Sequence, residues 1–133
     1  MNQNQKAVSI LLVEDSEEDV FFFRRTLSRC QAVVNLTVVN DGQAALDLLA
    51  QPGRISDFDV MFLDLKLPLF DGFEVLAVLR SRVEGQHLPV YVLSGSPQAR
   101  DRERAAQLGA TGYLVKPITR DVLLRYLPCF AIA

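Results

Sequence analysis

The sequence of 133 residues contains only two cysteines and no long apolar run. Cys30 and Cys129 lie far apart and form no Cys-x-x-Cys pair, which argues against a zinc site or a redox pair. No stretch approaches the roughly 18 apolar residues that cross a bilayer. The polar N-terminus lacks the apolar region and cleavage site of a signal peptide. These absences predict a soluble protein of the reducing cytoplasm, without contact to a membrane.

A strong excess of charge of either sign is also absent. The chain has 14 basic and 16 acidic residues, and its formal net charge is −2. A general binder of nucleic acid needs a basic face, so this balance argues against direct contact with nucleic acid. Half of the residues are apolar, which together with the length predicts one packed domain over 1–133.

Short apolar runs alternate with longer amphipathic stretches, which is typical of repeated βα units. The runs predict strands at 8–13, 35–39, 58–63, 89–93 and 111–115. The amphipathic stretches predict helices at 16–30, 42–51, 72–83, 97–108 and 119–127. Right-handed crossovers then predict an α/β fold: a flavodoxin-like, doubly wound, five-stranded parallel sheet in the order 2-1-3-4-5, with five helices.

Residues suited to helix boundaries flank the predicted helices. Ser16 and Asp19 resemble a capping box at the start of the first helix. The other boundary residues are Asp41 and Asp71 before the second and third helices, Pro97 in the first turn of the fourth, and Gly109 after the fourth. These signals agree with the helix positions that the apolar pattern predicts.

Three acidic side chains stand at the predicted carboxyl ends of strands 1 and 3. The first strand ends in Glu14-Asp15, and the run VMFLDLKLP places Asp64 at the end of the third. If these strands are neighbours, the carboxylates converge, which is unfavourable unless a cation or a bound proton offsets their charge. Mg²⁺, a hard cation with oxygen ligands, is the natural occupant. Alternatively, Glu14 and Asp15 cap the first helix while Asp64 begins a turn, but Ser16 can serve as that cap.

Two further strand ends add a hydroxyl group and a positive charge. Strand 4 finishes in VLSGS with Ser94, and strand 5 finishes in YLVKP with Lys116. Either residue alone would be an ordinary solvated side chain. Together with Asp64 and the predicted cation, they match what the binding and transfer of a phosphoryl group require.

Four segments of the chain resemble a response-regulator receiver domain of bacterial two-component signalling, in the order LLVEDSEED, FLDLKLPLFDG, VYVLSGS and GYLVKP. The resemblance covers essentially the whole chain. It implies that Asp64 is the phosphoacceptor, which takes a phosphoryl group from the phosphohistidine of a sensor histidine kinase. Such a domain is not a conventional enzyme, although it catalyses its own phosphorylation and dephosphorylation.

The same resemblance assigns roles to the charged residues at the strand ends. It implies that Mg²⁺ is held by the side chains of Glu14, Asp15 and Asp64 and by the backbone carbonyl of Lys66. It also implies that Lys116 contacts the acyl phosphate formed on Asp64.

Two further roles that the resemblance implies concern the response to phosphorylation. Ser94 is expected to be the switch hydroxyl, drawn towards the phosphoryl group, and Tyr113 is expected to be the aromatic switch residue that then turns inward. The family often has threonine at the position of Ser94 and alanine at that of Gly95. Both differences keep the hydroxyl group and the small neighbour.

Other readings of the acceptor motif fit the sequence less well. An Asp-based phosphohydrolase of the haloacid-dehalogenase kind needs a second acid two residues after the nucleophile, where this chain has Lys66. A dinucleotide-binding module needs G-x-G-x-x-G after strand 1, where the chain reads EDSEED. A pseudo-receiver that acts only as a docking module is disfavoured because a competent residue fills every acceptor-site position.

The partners follow from the length of the chain and from the acceptor motif. Sixteen residues follow Pro117, which is enough for one helix and a tail but not for a DNA-binding or catalytic effector domain. We therefore expect output by protein contact through helix 4, strand 5 and helix 5. The DLKLP motif and the single-domain size resemble regulators paired with bacterial phytochrome-type histidine kinases. The expected partners are therefore such a kinase and a downstream target protein.

Helix 1 carries three consecutive phenylalanines, Phe21, Phe22 and Phe23. Successive helical residues point about 100° apart, so all three cannot face the sheet. We expect two in the core and one outward. The outward ring either is partly covered by arginine stems or meets the helical histidine-bearing domain of the kinase, as helix 1 does in the family.

The end of the chain is unusually apolar. We expect a domain core over 6–127 and a tail over 128–133, in which Pro128 stops helix 5 and the sequence CFAIA follows. Chain ends are normally polar and frayed. The tail either folds back over the domain or packs on a second copy as a symmetric homodimer. Phosphorylation at Asp64 would alter the strength of such a dimer by linkage.

Overall fold

The computed structural model of the protein describes residues 7–30 and 33–126. The strands are β1 (Val8–Val13), β2 (Val34–Val39), β3 (Val60–Asp64), β4 (Val90–Ser94) and β5 (Gly112–Val115). The α-helices are α1 (Glu17–Ser28), α2 (Gly42–Leu49), α3 (Gly72–Ser81), α4 (Ala99–Gln107) and α5 (Arg120–Tyr126). Among the helices of these ranges, none combines the length and hydrophobicity of a membrane span. The predicted tail lies outside the described residues.

The strands form one parallel sheet in the order β2-β1-β3-β4-β5. This order confirms the predicted flavodoxin-like fold. β1 lies between β2 and β3, and its last residue, Val13, pairs with Leu63, which directly precedes Asp64. The carboxyl ends of β1 and β3 are therefore side by side.

Apolar side chains cover both faces of the sheet, because successive residues of a strand point to opposite faces. Leu11 and Val13 of β1 belong to the core that packs against α2, α3 and α4. Ile10 and Leu12 belong to the opposite core, which packs against α1 and α5. Burial on both faces explains why the central strands are apolar at nearly every position.

Three of the predicted helix boundaries are confirmed. Asp71 and Glu74 form a reciprocal capping box at the start of α3, with N–H···O distances of 2.9 and 3.0 Å. Asp41 Oδ1 accepts a hydrogen bond from the N–H of Ala44 at the start of α2. Gly109 follows Leu108, the C-cap residue of α4, and has a φ of 98°, a backbone conformation that glycine adopts without a steric penalty.

The predicted start of α4 is wrong. Pro97 precedes the helix, which begins at Ala99. The loop after β4 continues to Gln98, whose N–H donates to Ser96 Oγ at 3.3 Å. This local turn occupies the residues that the apolar pattern had assigned to the first turn of the helix. Two short 3₁₀ helices were also not predicted, at Ile55–Asp57 and at Val83–Gly85.

The capping box predicted for α1 is only half formed. Ser16 Oγ accepts a hydrogen bond from the N–H of Asp19 at 3.2 Å, as predicted. The N–H of Ser16 donates instead to Glu14 Oε2, and the carboxylate of Asp19 bonds to Lys116. The tertiary ion pair has therefore replaced the second half of the local motif.

Candidate functional site

Three carboxylates meet at the carboxyl edge of the sheet. Glu14 directly follows β1 and Asp64 ends β3, and both are buried, whereas Asp15 is exposed. One oxygen from each of the three carboxylates lies within 4.8 Å of the others. The structure thus brings together the acids whose convergence the sequence predicted.

Lys116 supplies the positive charge of this cluster. Its Nζ donates hydrogen bonds to Glu14 Oε1 at 2.7 Å, to Asp19 Oδ2 at 2.7 Å and to Asp64 Oδ2 at 2.9 Å. An ammonium group has three N–H donors, so each donor has one carboxylate acceptor. The backbone N–H of Lys116 donates to the carbonyl of Ser94 at 2.8 Å, which fixes the residue against the end of β4.

Backbone N–H groups hold the other oxygens of the two buried acids. Ser16 donates to Glu14 Oε2 at 3.2 Å, and Lys66 donates to Asp64 Oδ1 at 3.0 Å. A buried carboxylate is tolerated only where such bonds and a nearby cation compensate for its lost hydration. Gly72 lets α3 begin close to this loop, since a Cβ there would overlap the backbone oxygen of Asp64.

The surroundings of Glu14 and Lys116 shift the pKa values of both groups. Burial raises the pKa of Glu14 to about 7, the adjacent Asp64 carboxyl group adds to the rise, and Lys116 opposes it. Burial lowers the pKa of Lys116, but hydrogen bonds to Asp19, Glu14 and Asp64 outweigh that effect and leave the pKa above its ordinary value. Lys116 is therefore charged at neutral pH, while the negative charge of Glu14 is incompletely compensated.

The donor set fits a divalent cation. Mg²⁺ prefers oxygen ligands and is usually bound by one or two carboxylates together with waters and phosphate oxygens. Glu14, Asp15 and Asp64 supply three carboxylate oxygens close enough to share one ion. The contribution of the Lys66 carbonyl stays a prediction. A cation at this position would also offset the mutual repulsion of the acids.

Of the two predicted switch residues, Ser94 ends β4 and Tyr113 is the second residue of β5. Ser94 is buried, and its Oγ accepts a hydrogen bond from the N–H of Ser96 at 3.0 Å. The hydroxyl of Tyr113 donates to the carbonyl of Ser96 at 2.7 Å. The guanidinium carbon of Arg102 lies 4.8 Å from the centre of the Tyr113 ring, a distance at which a cation is attracted to the ring face.

The prediction that two of the three phenylalanines are in the core is wrong. Phe23 is buried, but Phe21 and Phe22 are 67% and 42% exposed. Both exposed rings line a cleft of about 480 Å³ that Lys116 and Asp19 also line. Successive helical residues point about 100° apart, and the buried face of α1 carries Phe23, Thr26 and Leu27. Phe23 packs on Phe62 of β3, with ring centres 5.1 Å apart.

Asp19 is the site residue that sequence reasoning missed. The sequence marks it as a member of a capping box, which is a local role. Its contact with Lys116 joins residues 97 positions apart, and no local pattern reports such a contact. The many acids in EDSEED could have indicated a further role for one of them, because one helix cap cannot use all of them.

The family model of the response regulator receiver domain matches residues 10–127. Many curated relatives are longer than this chain, which spans 24%, 76% and 36% of the lengths of three that it matches. The activities of those whole proteins are therefore not part of what the match shows.

Three solved structures are similar over nearly the whole chain. The bacteriophytochrome response regulator AtBRR is 34% identical, with 90% of this chain and 89% of that chain covered and a TM-score of 0.77. The phosphorylated cyanobacterial phytochrome response regulator RcpA is 31% identical, with 90% and 88% covered and a TM-score of 0.77. The receiver domain of the sensor histidine kinase PA1611 from Pseudomonas aeruginosa PAO1, with magnesium coordinated in its active site cleft, is 30% identical, with 90% and 93% covered and a TM-score of 0.72. With the family match over most of its length, the chain belongs to the response regulator receiver domain family.

Proposed function

We propose that this protein accepts a phosphoryl group on Asp64 from the phosphohistidine of a sensor histidine kinase, in a reaction that depends on Mg²⁺. The observation that carries the proposal is the buried Asp64 carboxylate, which shares one ammonium group with Glu14 and lies close to Asp15. Such a cluster is costly to bury. The free energy spent on burying these charges is explained if the cluster binds a cation and a phosphoryl group.

The chemistry follows from the groups around Asp64. A carboxylate oxygen of Asp64 attacks the phosphorus and forms the new O–P bond. The P–N bond to the kinase imidazole breaks, and its electron pair returns to the ring nitrogen. Lys116 donates a hydrogen bond to a phosphoryl oxygen and offsets charge in the transition state. Bound Mg²⁺, held by Glu14, Asp15 and Asp64, would supply further charge neutralisation.

The phosphorylated state ends when the acyl phosphate on Asp64 is hydrolysed. A water oxygen attacks the phosphorus, the O–P bond to Asp64 breaks, and inorganic phosphate leaves. The carboxylate is restored and returns to its hydrogen bonds with Lys116 and with the backbone N–H of Lys66. The protein therefore acts both as acceptor and as its own phosphatase.

The proposed output is protein contact through α4, β5 and α5. A phosphoryl group on Asp64 adds negative charge and strong hydrogen-bond acceptors, towards which the hydroxyl of Ser94 is drawn. Tyr113 responds because it shares Ser96 with Ser94. The surface formed by these elements is thereby altered for a downstream protein, as in a two-state element biased by one local charge.

The proposed kinase is of the phytochrome type and acts in the cytoplasm. The similarity to AtBRR and RcpA, which are described as phytochrome response regulators, supports this pairing. The exposed rings of Phe21 and Phe22 beside the cleft offer an apolar contact for the helical domain that carries the phosphohistidine. Their position brings a docked kinase close to Asp64.

The test is phosphorylation of the purified protein by acetyl phosphate and by a phosphorylated histidine kinase. Intact-protein mass spectrometry should show one added phosphoryl group in Mg²⁺, and none in EDTA or in Asp64→Asn. Asp59→Asn is the matched control, because Asp59 is an exposed carboxylate at the opposite end of β3. Labelling of Asp64→Asn at the wild-type level would show that another group is the acceptor. Absence of labelling in the wild type would favour the docking-only alternative.

A further inference from the structure

We propose that Asp19 competes with the phosphoryl group for the ammonium of Lys116 and so shortens the life of the phosphorylated state. The inference rests on the proposed acceptor role of Asp64 and adds a residue that controls it. Asp19 acts through Lys116 and is therefore a positioning residue.

The first step of the argument is the number of donors on Lys116. Its three N–H groups are used by Glu14, Asp19 and Asp64, at 2.7, 2.7 and 2.9 Å. Phosphorylation esterifies Asp64, so a phosphoryl oxygen can take the N–H that Asp64 gives up. Lys116 must then neutralise the phosphoryl group while Glu14 and Asp19 still hold its other two N–H groups.

The exposure of the carboxylates distinguishes Asp19 from the two buried acids. The side chains of Glu14 and Asp64 are 2% and 7% exposed, whereas that of Asp19 is 44% exposed. A buried carboxylate that loses its cation stays poorly hydrated, which is costly. A half-exposed one regains water and loses little. Of the two carboxylates that still hold Lys116, Asp19 is therefore the one that can be released at the lower cost in free energy.

The local structure of α1 agrees with this role. Asp19 stands at the position whose side chain would close a capping box with Ser16. Its carboxylate is directed to Lys116 instead, and the N–H of Ser16 is satisfied by Glu14. Asp19 also lies outside the group of three acids that can share a metal ion, so its carboxylate is not needed to hold the cation.

Two effects of Asp19 weaken the binding of a phosphoryl group. Its carboxylate holds an N–H of Lys116 that could otherwise make a further bond to the phosphoryl group, and its negative charge repels the anion. Both effects weaken when the charge is removed, because the amide oxygen of asparagine is a weaker acceptor and carries no net charge. An Asp19→Asn variant should therefore bind a phosphoryl analogue more tightly and lose the acyl phosphate more slowly.

The experiment is a titration of the Mg²⁺-loaded protein with beryllofluoride, an analogue of the phosphoryl group, followed by isothermal titration calorimetry. Asp19→Asn should tighten binding by about threefold, the scale of an ion pair between partly exposed groups. Asp19→Glu, which keeps the charge, should bind like the wild type. Glu17→Gln is the matched control, because it removes an exposed charge from the same helical turn. The half-life of acetyl phosphate-labelled protein should lengthen by a similar factor in Asp19→Asn alone.

A second measurement separates competition from a structural role. The melting temperature of the metal-free protein should stay equal or fall in Asp19→Asn, since the variant loses an ion pair. Tighter analogue binding with no gain in melting temperature supports competition. Unchanged or weaker binding, equal tightening in Glu17→Gln, or a matching rise in melting temperature overturns it. If the wild type binds no analogue, the acceptor role of Asp64 fails and the inference fails with it. If the wild type binds but Asp19→Asn does not differ from it, the inference alone fails.

Discussion

Ser94 and Tyr113 are connected through the backbone of a single residue between them in the structure. The N–H of Ser96 donates to Ser94 Oγ at 3.0 Å, and its carbonyl accepts a hydrogen bond from the Tyr113 hydroxyl at 2.7 Å. A shift of the Ser94 hydroxyl therefore disturbs the residue that holds Tyr113. Arg102 lies over the ring of Tyr113 and adds α4 to this connection.

The first prediction is that Ser94 and Tyr113 are energetically coupled. Ser94→Ala removes the acceptor of the Ser96 N–H, and Tyr113→Phe removes the donor to its carbonyl. Each variant should lower the free energy of unfolding by about 1 kcal/mol, measured by urea denaturation. The double variant should depart from additivity by at least about 0.5 kcal/mol. Tyr126→Phe combined with Ser94→Ala is the control and should be additive. Strict additivity of the Ser94 and Tyr113 variants would show that Ser96 does not couple them.

The second prediction concerns the metal. Glu14→Gln and Asp15→Asn should each weaken the binding of Mg²⁺ by more than about tenfold, because each removes a charged ligand from the cluster. The affinity is measured by isothermal titration calorimetry on protein stripped with EDTA. Glu17→Gln, an exposed acid outside the cluster, should bind as the wild type does. An equal loss in Glu17→Gln would indicate a general effect of charge rather than ligation.

The third prediction separates the three phenylalanines of α1. Phe23→Ala should destabilise the fold by about 3–5 kcal/mol, because its ring is buried against Phe62. Phe21→Ala and Phe22→Ala should leave stability nearly unchanged.

The functional readout for the exposed rings is phosphotransfer from the kinase. Phe21→Ala or Phe22→Ala should slow transfer by about tenfold, equivalent to about 1.4 kcal/mol, while labelling by acetyl phosphate stays normal. Val83→Ala, which truncates an exposed apolar side chain on another element, should change neither rate. Equal transfer rates in all four proteins would remove α1 from the docking surface.

The fourth prediction concerns the apolar tail at 128–133, which lies outside the described residues. If the tail joins two copies, the full-length protein should sediment as a dimer, and a chain ending at Leu127 should sediment as a monomer. Phosphorylation should change the dimer constant of the full-length protein by linkage. If the full-length protein and the shortened chain both sediment as monomers at tens of micromolar, the homodimer hypothesis is wrong and the hypothesis that the tail folds back over the domain remains.

Much of the fold follows from the sequence because it depends on neighbours along the chain. The apolar runs of β1, β3 and β4 form strands that are buried on both faces. Asp41 and Asp71 cap helices through bonds that span three residues. The convergence of Glu14 and Asp64 also follows, since parallel βα units bring all carboxyl ends of the strands to one edge. The residues at the strand ends, taken in sequence order, thus predicted that the acids and Lys116 lie together at the carboxyl edge of the sheet.

Only the tertiary structure decided which of the carboxylates bond to Lys116. Asp19 had a satisfactory local role beside Ser16, and only the approach of α1 to the end of β5 made Lys116 the better partner for its carboxylate. The same packing buries the ring of Phe23 and leaves the other two phenylalanine rings of α1 exposed. Local hydrogen bonds and apolar alternation act over a few residues and can be read along the chain. The competition of three carboxylates for one ammonium group is settled by distance and burial, which exist only once the chain has folded.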